Sequence, residues 1–461
     1  MSSGTLSDAR SPRSERVRTM RLPRRLRNIE FLLLVAVWLI NLAAIALVQL
    51  GALGATEPTM LGLTLLVSGL TFVMHLELRV IAREADPFIL PIATLLNGIG
   101  IAGIYRVDIA YGDSGWESAA VRQVVWTALA IIIAILGLVF VRNHRVLQRY
   151  TYLAMLVGVV LLLLPMLPGI GLTINGARVW IGVGPFTFQP GEIAKIALAV
   201  FFAGYLVTRR DSLSMVGRKF LGLKLPRIRD LGPILVIWAL AMSVIVFQRD
   251  LGTALLYFGL FLVMLYVATG RFSWVLIGLL LFGGGAFVAG RTLEYVGGRL
   301  NNWLDAFDPV SYDTPGGSYQ LVQGLFGLAH GGLIGTGLGQ GMPEQTPVAQ
   351  SDYIIATLGE ELGLTGVFAI LALYLLFVSR GFRIGFAGQD DFGKLLAVGL
   401  SFVVALQCFV VIGGVTRVIP LTGLTTPFLA SGGSSLVANW IIAALLLRIS
   451  DSVRSQPRLV V

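Results

Sequence analysis

The sequence predicts an all-α integral membrane protein, a polytopic bundle of about twelve transmembrane helices with one large extracytoplasmic loop. Three observations support this prediction. Charged residues make up only 13% of the 461 positions, against roughly 25% in typical soluble domains. Hydrophobic residues make up 56%, and the mean hydropathy is +0.82. Finally, Lys and Arg concentrate in every second connection between the apolar segments.

Twelve apolar segments are each about long enough to cross a hydrocarbon core of ~30 Å. Within lipid, every backbone group has to find its hydrogen-bond partner inside the segment, so these segments are predicted to be helices. The first two lie within residues 31–87, and the other ten with their loops occupy residues 88–450. The predicted spans are residues 31–51, 60–78, 88–105, 123–141, 151–169, 190–207, 231–247, 251–269, 273–290, 353–379, 395–416 and 433–449.

The distribution of positive charge predicts the orientation. Of the 35 Lys and Arg residues, 27 fall on one side of the predicted bundle and 7 on the other, while Lys195 lies within a span. Loops rich in Lys and Arg stay in the cytoplasm, so the tails 1–30 and 451–461 are both predicted to be cytoplasmic. The basic tail 1–30 is also rich in Ser, Gly and Pro and is predicted to be disordered. The net charge of +10 therefore indicates contact with anionic membrane lipid rather than with nucleic acid.

Some functional classes are excluded at this point. The charged region before the first span is too long for a signal peptide, which favours an uncleaved first helix. Cys408 is the only cysteine, so no intrachain disulfide can form. The three histidines, His75, His144 and His330, are far apart and have no second His or Cys nearby, which argues against a zinc-type metal site.

The first polar region runs from an outer loop into the sixth span. Pro190 is well placed at a helix start, where its missing N–H would have no partner in any case. Glu192 and Lys195 are three residues apart and share one helix face. Two alternatives are open: a mutual salt bridge that holds helices together, or a cation that an anionic headgroup can reach. Further candidate contacts with a substrate in this region are Arg178, Trp180 and Gln189.

The second and third polar regions lie between later spans. Asp250 follows Arg249 in a three-residue tip, where such a pair is either a helix-terminus device or a functional group. The loop 291–352 is long, and loops of such length without their own secondary structure are uncommon unless they are functional. Its Gly-rich middle suggests a segment that re-enters the membrane, and its glycines are not spaced as in a nucleotide-binding loop. Its candidate substrate contacts are Tyr319, Gln320 and Gln323.

Asp352 opens the tenth predicted helix. It is either an N-cap, which accepts hydrogen bonds from the first free N–H groups, or a functional carboxylate at an aqueous edge. Glu360 lies eight residues further, about 12 Å deeper along a helix, and Glu361 points nearly opposite to Asp352. Adjacent carboxylates at membrane depth need partners, so at least one of them is expected to have a structural pairing role.

The segment 420–435 leads from an outer loop into the last span. It is dense in hydroxyl groups and turn-forming residues. Such a segment suits sugar or pyrophosphate contacts, although the serines are equally suited to capping the helix. Its candidate residues are Thr425, Ser434 and Ser435.

Six motifs follow one another along the chain: F-Q-P-G-E-x-x-K, R-D-L-G-T, S-Y-Q-L-x-Q, G-x-G-L-G, S-D-Y-I-x-x-x-x-G-E-E-L-G and P-x-T-G-L-T-x-P-F-x-x-x-G-G-S-S. In this order they resemble the SEDS family, the RodA, FtsW and SpoVE peptidoglycan polymerases. The chain is similar to this family over about residues 88–450, which corresponds to the family's usual ten-helix core. The two additional N-terminal helices and Gly191 resemble the longer RodA-type forms of actinobacteria.

The resemblance implies a glycosyltransferase that polymerises lipid II at the outer face of the bacterial cytoplasmic membrane and releases undecaprenyl pyrophosphate. It also implies partners, namely a class B penicillin-binding transpeptidase and other membrane proteins of an elongation or division complex. The family's essential carboxylate corresponds to Asp352, and its conserved Glu and Lys correspond to Glu192 and Lys195. Asp352 can accept the proton of the acceptor's 4-hydroxyl, while Lys195 and Arg178 can stabilise the diphosphate, with or without Mg²⁺ or Mn²⁺. No organic cofactor is expected.

The sequence departs from the family pattern at a few positions, among them Arg249 in place of a usual Pro and Val348 in place of a common Glu. These departures indicate altered coupling to partners or reduced activity, not a different fold. Two other functions are compatible with the sequence. A lipid II flippase would also contain broken helices and charges at membrane depth, but it would need a polar path across the bilayer. An inactive scaffold for a wall synthase would have no need of Asp352.

Overall fold

Helices account for most of the computed structural model, which describes residues 25–174, 176–184, 186–213, 219–220, 223–224 and 231–455. Most of the predicted tail 1–30 and the end of the predicted tail 451–461 thus lie outside the described residues. The helices are α1 (Arg25–Leu53), α2 (Pro58–Ile81), α3 (Ile89–Tyr111), α4 (Ala119–Phe140), α5 (Arg145–Arg149), α6 (Thr151–Leu163), α7 (Pro190–Leu213), α8 (Gly232–Gln248), α9 (Leu251–Thr269), α10 (Phe272–Thr292), α11 (Glu294–Leu304), α12 (Pro309–Asp313), α13 (Tyr319–Gly331), α14 (Ile354–Ala387), α15 (Asp391–Val415) and α16 (Gly433–Arg454).

The twelve predicted spans each correspond to one of these helices. In the described part of the chain, ten helices are long and apolar enough to cross a membrane, and they are α1, α2, α3, α4, α7, α9, α10, α14, α15 and α16. The helices α6 and α8 are apolar but shorter. The polytopic helical fold is thereby confirmed, whereas the number of twelve spans stays a prediction. Helix α1 begins inside the predicted basic tail, and α16 continues beyond the predicted end of the core.

A small antiparallel sheet was not predicted. It consists of β1 (Gly171–Ile174), β2 (Ala177–Val183) and β3 (Phe186–Phe188) in the order β1-β2-β3, and it lies between α6 and α7. Its sequence signal is Asn175-Gly176, a dipeptide typical of tight hairpin turns. Gly176 has a positive φ of 78°, which a glycine adopts without strain. A second, two-stranded sheet is formed by β4 (Lys219–Phe220) and β5 (Leu223–Lys224).

The interior of the bundle is built around α3, α15 and α16, whose side chains are buried along most of their length. One polar link joins three helices there: Trp440 Nε1 donates to Asn97 Oδ1 at 3.0 Å, and Asn97 Nδ2 donates to Thr127 Oγ1 at 3.2 Å. The peripheral helices expose large apolar side chains such as Leu39 and Phe140. Lipid takes up such surfaces at no cost, so the outward apolar faces agree with a membrane environment.

The predicted long loop contains its own helices, α11 to α13, followed by a glycine-rich segment, residues 335–341. That segment docks onto α14 at a kink at Gly363, where φ is 68°. The backbone N–H groups of Thr336 and Gly337 donate to the carbonyl oxygens of Glu360 and Glu361, each at 3.0 Å. The kink leaves these carbonyls without helical partners, so the segment satisfies them.

Both adjacent carboxylates of α14 are paired. Glu361 Oε1 accepts from Arg106 Nε at 2.9 Å, and its Oε2 accepts from the Gly339 N–H at 2.9 Å. Glu360 Oε1 lies 2.9 Å from His330 Nδ1. This is the structural pairing that the sequence indicated for at least one of the two residues, and it connects the glycine-rich segment to α3.

Candidate functional site

A cavity of ≈ 1110 Å³ opens at the end of the bundle that carries the 171–188 sheet, the α8–α9 connection, α11 to α13 and the segment 416–432. This end is called the loop end below. The cavity brings together residues that are far apart in the sequence and come from different predicted polar regions. The predicted site residues that line it are Trp180, Gln189, Asp250, Tyr319, Gln320, Asp352 and Thr425.

Asp352 lies two residues before α14 and faces this cavity. It is not the N-cap, because Tyr353 occupies that position and no side chain caps the helix, so the capping alternative is wrong. Burial raises the pKa of the Asp352 carboxyl to about 6; the positive charge of Arg299 lowers it in part, and the negative charge of Asp250 raises it further. A carboxyl with such a pKa is ionised at neutral pH and still basic enough to take up a proton.

Asp250 has a structural role that the sequence left open. It is the N-cap of α9: its Oδ1 accepts from the Thr253 N–H at 2.9 Å, and its Oδ2 accepts from the Thr253 hydroxyl at 2.5 Å. The preceding Arg249 has a left-handed backbone with a φ of 56° and ends α8. Asp250 is therefore the predicted helix-terminus device, and it also lines the cavity.

Glu192 and Lys195 do not line the cavity. They form a buried ion pair within α7, with Lys195 Nζ 2.5 Å from Glu192 Oε2, and their side chains are only 1% and 5% exposed for Lys195 and Glu192. Lys195 also donates to Gln407 Oε1 at 2.9 Å, and Gln407 Nε2 donates to the Thr425 carbonyl at 2.8 Å. The structure thus shows the salt-bridge alternative, and it links the pair to the cavity wall through one glutamine.

The other predicted residues lie outside the cavity lining. Arg178 lies on β2 and is partly exposed. Ser434 does not cap α16, since Gly432 is the N-cap; its hydroxyl accepts from the Gln189 N–H at 2.8 Å instead. The remaining three have polar partners: Gln323 donates to the Tyr312 hydroxyl, Glu360 pairs with His330, and Ser435 accepts from Asn439.

Three further lining residues were missed from the sequence: Arg299, Trp303 and Tyr312. Arg299 is one of the few positive charges on the predicted outer side. This rarity is the feature of the sequence that could have marked Arg299 as a candidate site residue. Trp303 Nε1 donates to the Arg417 carbonyl at 3.1 Å, and the Tyr312 ring lies 5.2 Å from that of Tyr319. Aromatic side chains with one polar end combine an apolar face with a hydrogen-bonding group, so this lining suits a ligand with both apolar and polar surface.

The family assignment follows from a family model described as "Cell cycle protein" for FtsW, RodA and SpoVE, which matches residues 86–455. This chain belongs to the FtsW/RodA/SpoVE family. The match covers α3 to α16 and leaves the whole of α1 and α2 before it. The similarity to the SEDS family is thereby confirmed, while the division of the chain into two N-terminal helices and a core of residues 88–450 stays a prediction.

Curated members of the FtsW/RodA/SpoVE family are similar over most of this chain. The peptidoglycan glycosyltransferase RodA of Mycobacterium tuberculosis is 45% identical over 441 residues, which is 94% of this chain and 92% of that protein. The stage V sporulation protein E of Bacillus subtilis is 33% identical and covers 79% of this chain and 96% of its own length. The mycobacterial RodA thus matches a larger share of this chain than the family model does.

Solved structures agree with the fold. A chain from the structure titled "Structural coordination of polymerization and crosslinking by a peptidoglycan synthase complex" has a TM-score of 0.61 and 25% identity, and it covers 81% of this chain and 99% of its own. The crystal structure of the Thermus thermophilus rod shape determining protein RodA has a TM-score of 0.55 at 24% identity, with 81% and 98% coverage. Both support a multi-pass helical membrane protein.

Proposed function

We propose that this protein is a peptidoglycan glycosyltransferase that polymerises lipid II and releases undecaprenyl pyrophosphate, in cell elongation or division. The observation that carries the proposal is the Asp352 carboxylate at the wall of the loop-end cavity, with a pKa raised to about 6. The relatives named peptidoglycan glycosyltransferase support it, because they are similar over most of the chain.

The proposed reaction is a displacement at the anomeric carbon of one lipid-linked disaccharide. The acceptor's 4-hydroxyl oxygen forms a bond to that carbon, and the bond from the carbon to the diphosphate oxygen breaks. The departing diphosphate keeps the electron pair, and the hydroxyl proton passes to a carboxylate oxygen of Asp352. The leaving group is already stable as an anion, so one base and a source of positive charge suffice.

The loop end is proposed to face the outside of the bacterial cytoplasmic membrane, with both termini in the cytoplasm. The 27-to-7 division of Lys and Arg supports this orientation, because the loop end carries the smaller share. The apolar helices around the cavity would then keep the polyprenyl tail in the bilayer while the disaccharide reaches Asp352. A class B penicillin-binding transpeptidase and other membrane proteins of the elongation or division complex are the proposed partners.

The decisive experiment combines purified protein with lipid II in the presence of its transpeptidase partner. We expect glycan polymer, read as chain length on a gel. Fluorescent lipid II in sealed vesicles provides the contrasting measurement, because translocation without polymer would instead establish a flippase. If the protein binds the transpeptidase but neither polymerises nor translocates lipid II, the scaffold function would be the one that remains.

The polymerisation rate is expected to depend on pH with an acidic limb near 6. Asp352 acts as a base only when it is ionised, and burial raises its pKa to about 6. Below this pH the rate should fall by about tenfold per unit, and above it the rate should level off. Initial rates between about pH 5 and 8 measure this. A rate that does not change over this range would contradict the assignment of Asp352 as the base.

A divalent cation is proposed to assist with the diphosphate. In the part of the chain that the structure describes, no three His, Cys, Asp or Glu residues gather into a metal site. Both oxygens of Asp250 accept from Thr253 and Asp352 is assigned to the acceptor's proton, so such a cation would take its ligands mainly from phosphate and water. EDTA is expected to lower the rate, and added Mg²⁺ or Mn²⁺ to restore it; an EDTA-insensitive rate would refute the proposal.

A further inference from the structure

Arg299 is a cation of the cavity wall with unused hydrogen-bonding capacity. It belongs to α11, and its Nη1 donates to the Leu421 carbonyl at 3.0 Å. No carboxylate among the described residues lies within ion-pair distance of its guanidinium. A guanidinium carries five N–H donors, so most of those of Arg299 remain free to bind a ligand.

Gly423 separates Arg299 from Asp352. A Cβ added to this glycine would lie 3.7 Å from Arg299 Nη2 and 3.9 Å from Asp352 Oδ2. Both charged groups thus border the same small space beside a residue without a side chain. A displacement reaction needs a base near the attacking hydroxyl and a positive charge near the departing diphosphate, and both kinds of group lie beside this space.

Two hydroxyl groups in the segment that includes Gly423 have no partner. The Oγ1 atoms of Thr422 and Thr425 are buried and make no hydrogen bond, although both residues line the cavity. Tyr353 is another lining residue; it is fully buried, and its hydroxyl also lacks a partner. Buried polar atoms in native proteins are nearly always paired, so unpaired ones that line a cavity indicate a polar ligand.

Two other carboxylates, Asp250 and Asp313, also line the cavity, and Arg299 carries the positive charge that offsets Asp250. The oxygens of Asp250 accept from Thr253, and Asp313 lies on the exposed rim. Lys195, which the sequence indicated for the diphosphate, is held by Glu192 in the interior. A planar guanidinium with neighbouring hydroxyl donors matches the oxygens of a phosphate group.

We infer that Arg299, with the hydroxyls of Thr422 and Thr425, binds the diphosphate of the lipid-linked substrate across the Gly423 space from Asp352. The choice of ligand rests on the proposed polymerase function. The site recognises an organic diphosphate ester through its two phosphate groups, and it keeps the leaving group in place while Asp352 takes the proton.

The test measures binding without catalysis. Undecaprenyl diphosphate and undecaprenyl monophosphate are titrated against the full-length protein in micelles and followed by native mass spectrometry. The wild type is expected to prefer the diphosphate. Arg299→Gln keeps a donor for the Leu421 carbonyl but loses the charge, and it should lower the diphosphate affinity by roughly 10- to 100-fold, with a smaller loss for the monophosphate.

One further variant separates the charge of Arg299 from its geometry, and another is a control. Arg299→Lys retains the charge without the planar fork, so its diphosphate affinity should be intermediate, and the acidic limb of its pH profile should stay close to that of the wild type. Arg291→Gln is the matched control, because Arg291 is exposed, lies over the Phe287 ring and does not line the cavity. Its affinity should equal that of the wild type.

The outcomes separate this inference from the proposed function. Unchanged diphosphate affinity in a folded Arg299→Gln variant would overturn the inference, even if the wild type makes polymer. Binding that depends on Arg299 in a protein that makes no polymer would support the inference and refute the polymerase function.

Discussion

Asp352→Asn is expected to remove nearly all polymerisation of lipid II. The amide keeps the size and polarity of the side chain at the cavity wall but cannot accept the proton of the attacking hydroxyl. A positioned general base contributes roughly 10²- to 10⁴-fold to a rate, so a loss of this size is expected. Glycan polymer from purified protein with lipid II and the transpeptidase partner measures it, and binding of undecaprenyl diphosphate should be retained.

Asp305→Asn provides the control for this substitution. Asp305 follows α11 on the same end of the molecule, is exposed and does not line the cavity. Its variant should polymerise at the rate of the wild type. If Asp352→Asn were as active as this control, the base would have to be another group, and the catalytic argument would fail.

Lys195→Met is expected to give the largest loss of stability. The substitution leaves the Glu192 carboxylate buried without its cation and removes the donor to Gln407 Oε1. Breaking a buried ion pair in this way typically costs about 3–5 kcal/mol. The free energy of unfolding can be measured by SDS titration in mixed micelles, with Arg291→Met as an exposed control that should change little.

A double variant distinguishes structural pairing from substrate contact. Glu192→Leu combined with Lys195→Met replaces both charges by apolar groups, so most of the lost stability should return, less the contribution of the unpaired Gln407 oxygen. Because neither residue lines the cavity, polymerisation should return along with stability. A stable but inactive double variant would show that one of the two residues meets the substrate after all.

The fold was largely predictable because lipid imposes a simple rule. Apolar segments of about twenty residues have to be helical in hydrocarbon, and each predicted span coincides with a helix of the described chain. The 171–188 sheet was missed since it lies outside this rule. There, short strands depend on a turn signal, Asn175-Gly176, within a loop that hydropathy does not describe.

The candidate site was predictable only in part. Each polar region contributed at least one residue to the cavity, Asp352 among them. The partners were not predictable, because Glu192 and Lys195 at helical spacing fit either a buried pair or an open cation. Arg299 was missed because nothing in α11 marks it as a neighbour of residues 421–425, more than a hundred positions later.

By itself, the sequence determined the class of protein, the positions of its apolar helices and the family to which it is similar, and it predicted Asp352 as the base. These depend on hydropathy and on short motifs, which are local properties of the chain. Only the tertiary structure decided that Lys195 is neutralised within the bundle while Arg299 faces Asp352 across Gly423. Which charges meet each other and which stay free depends on helix packing and on the folding of loops back onto the bundle, and neither is encoded in the spacing of residues along one segment.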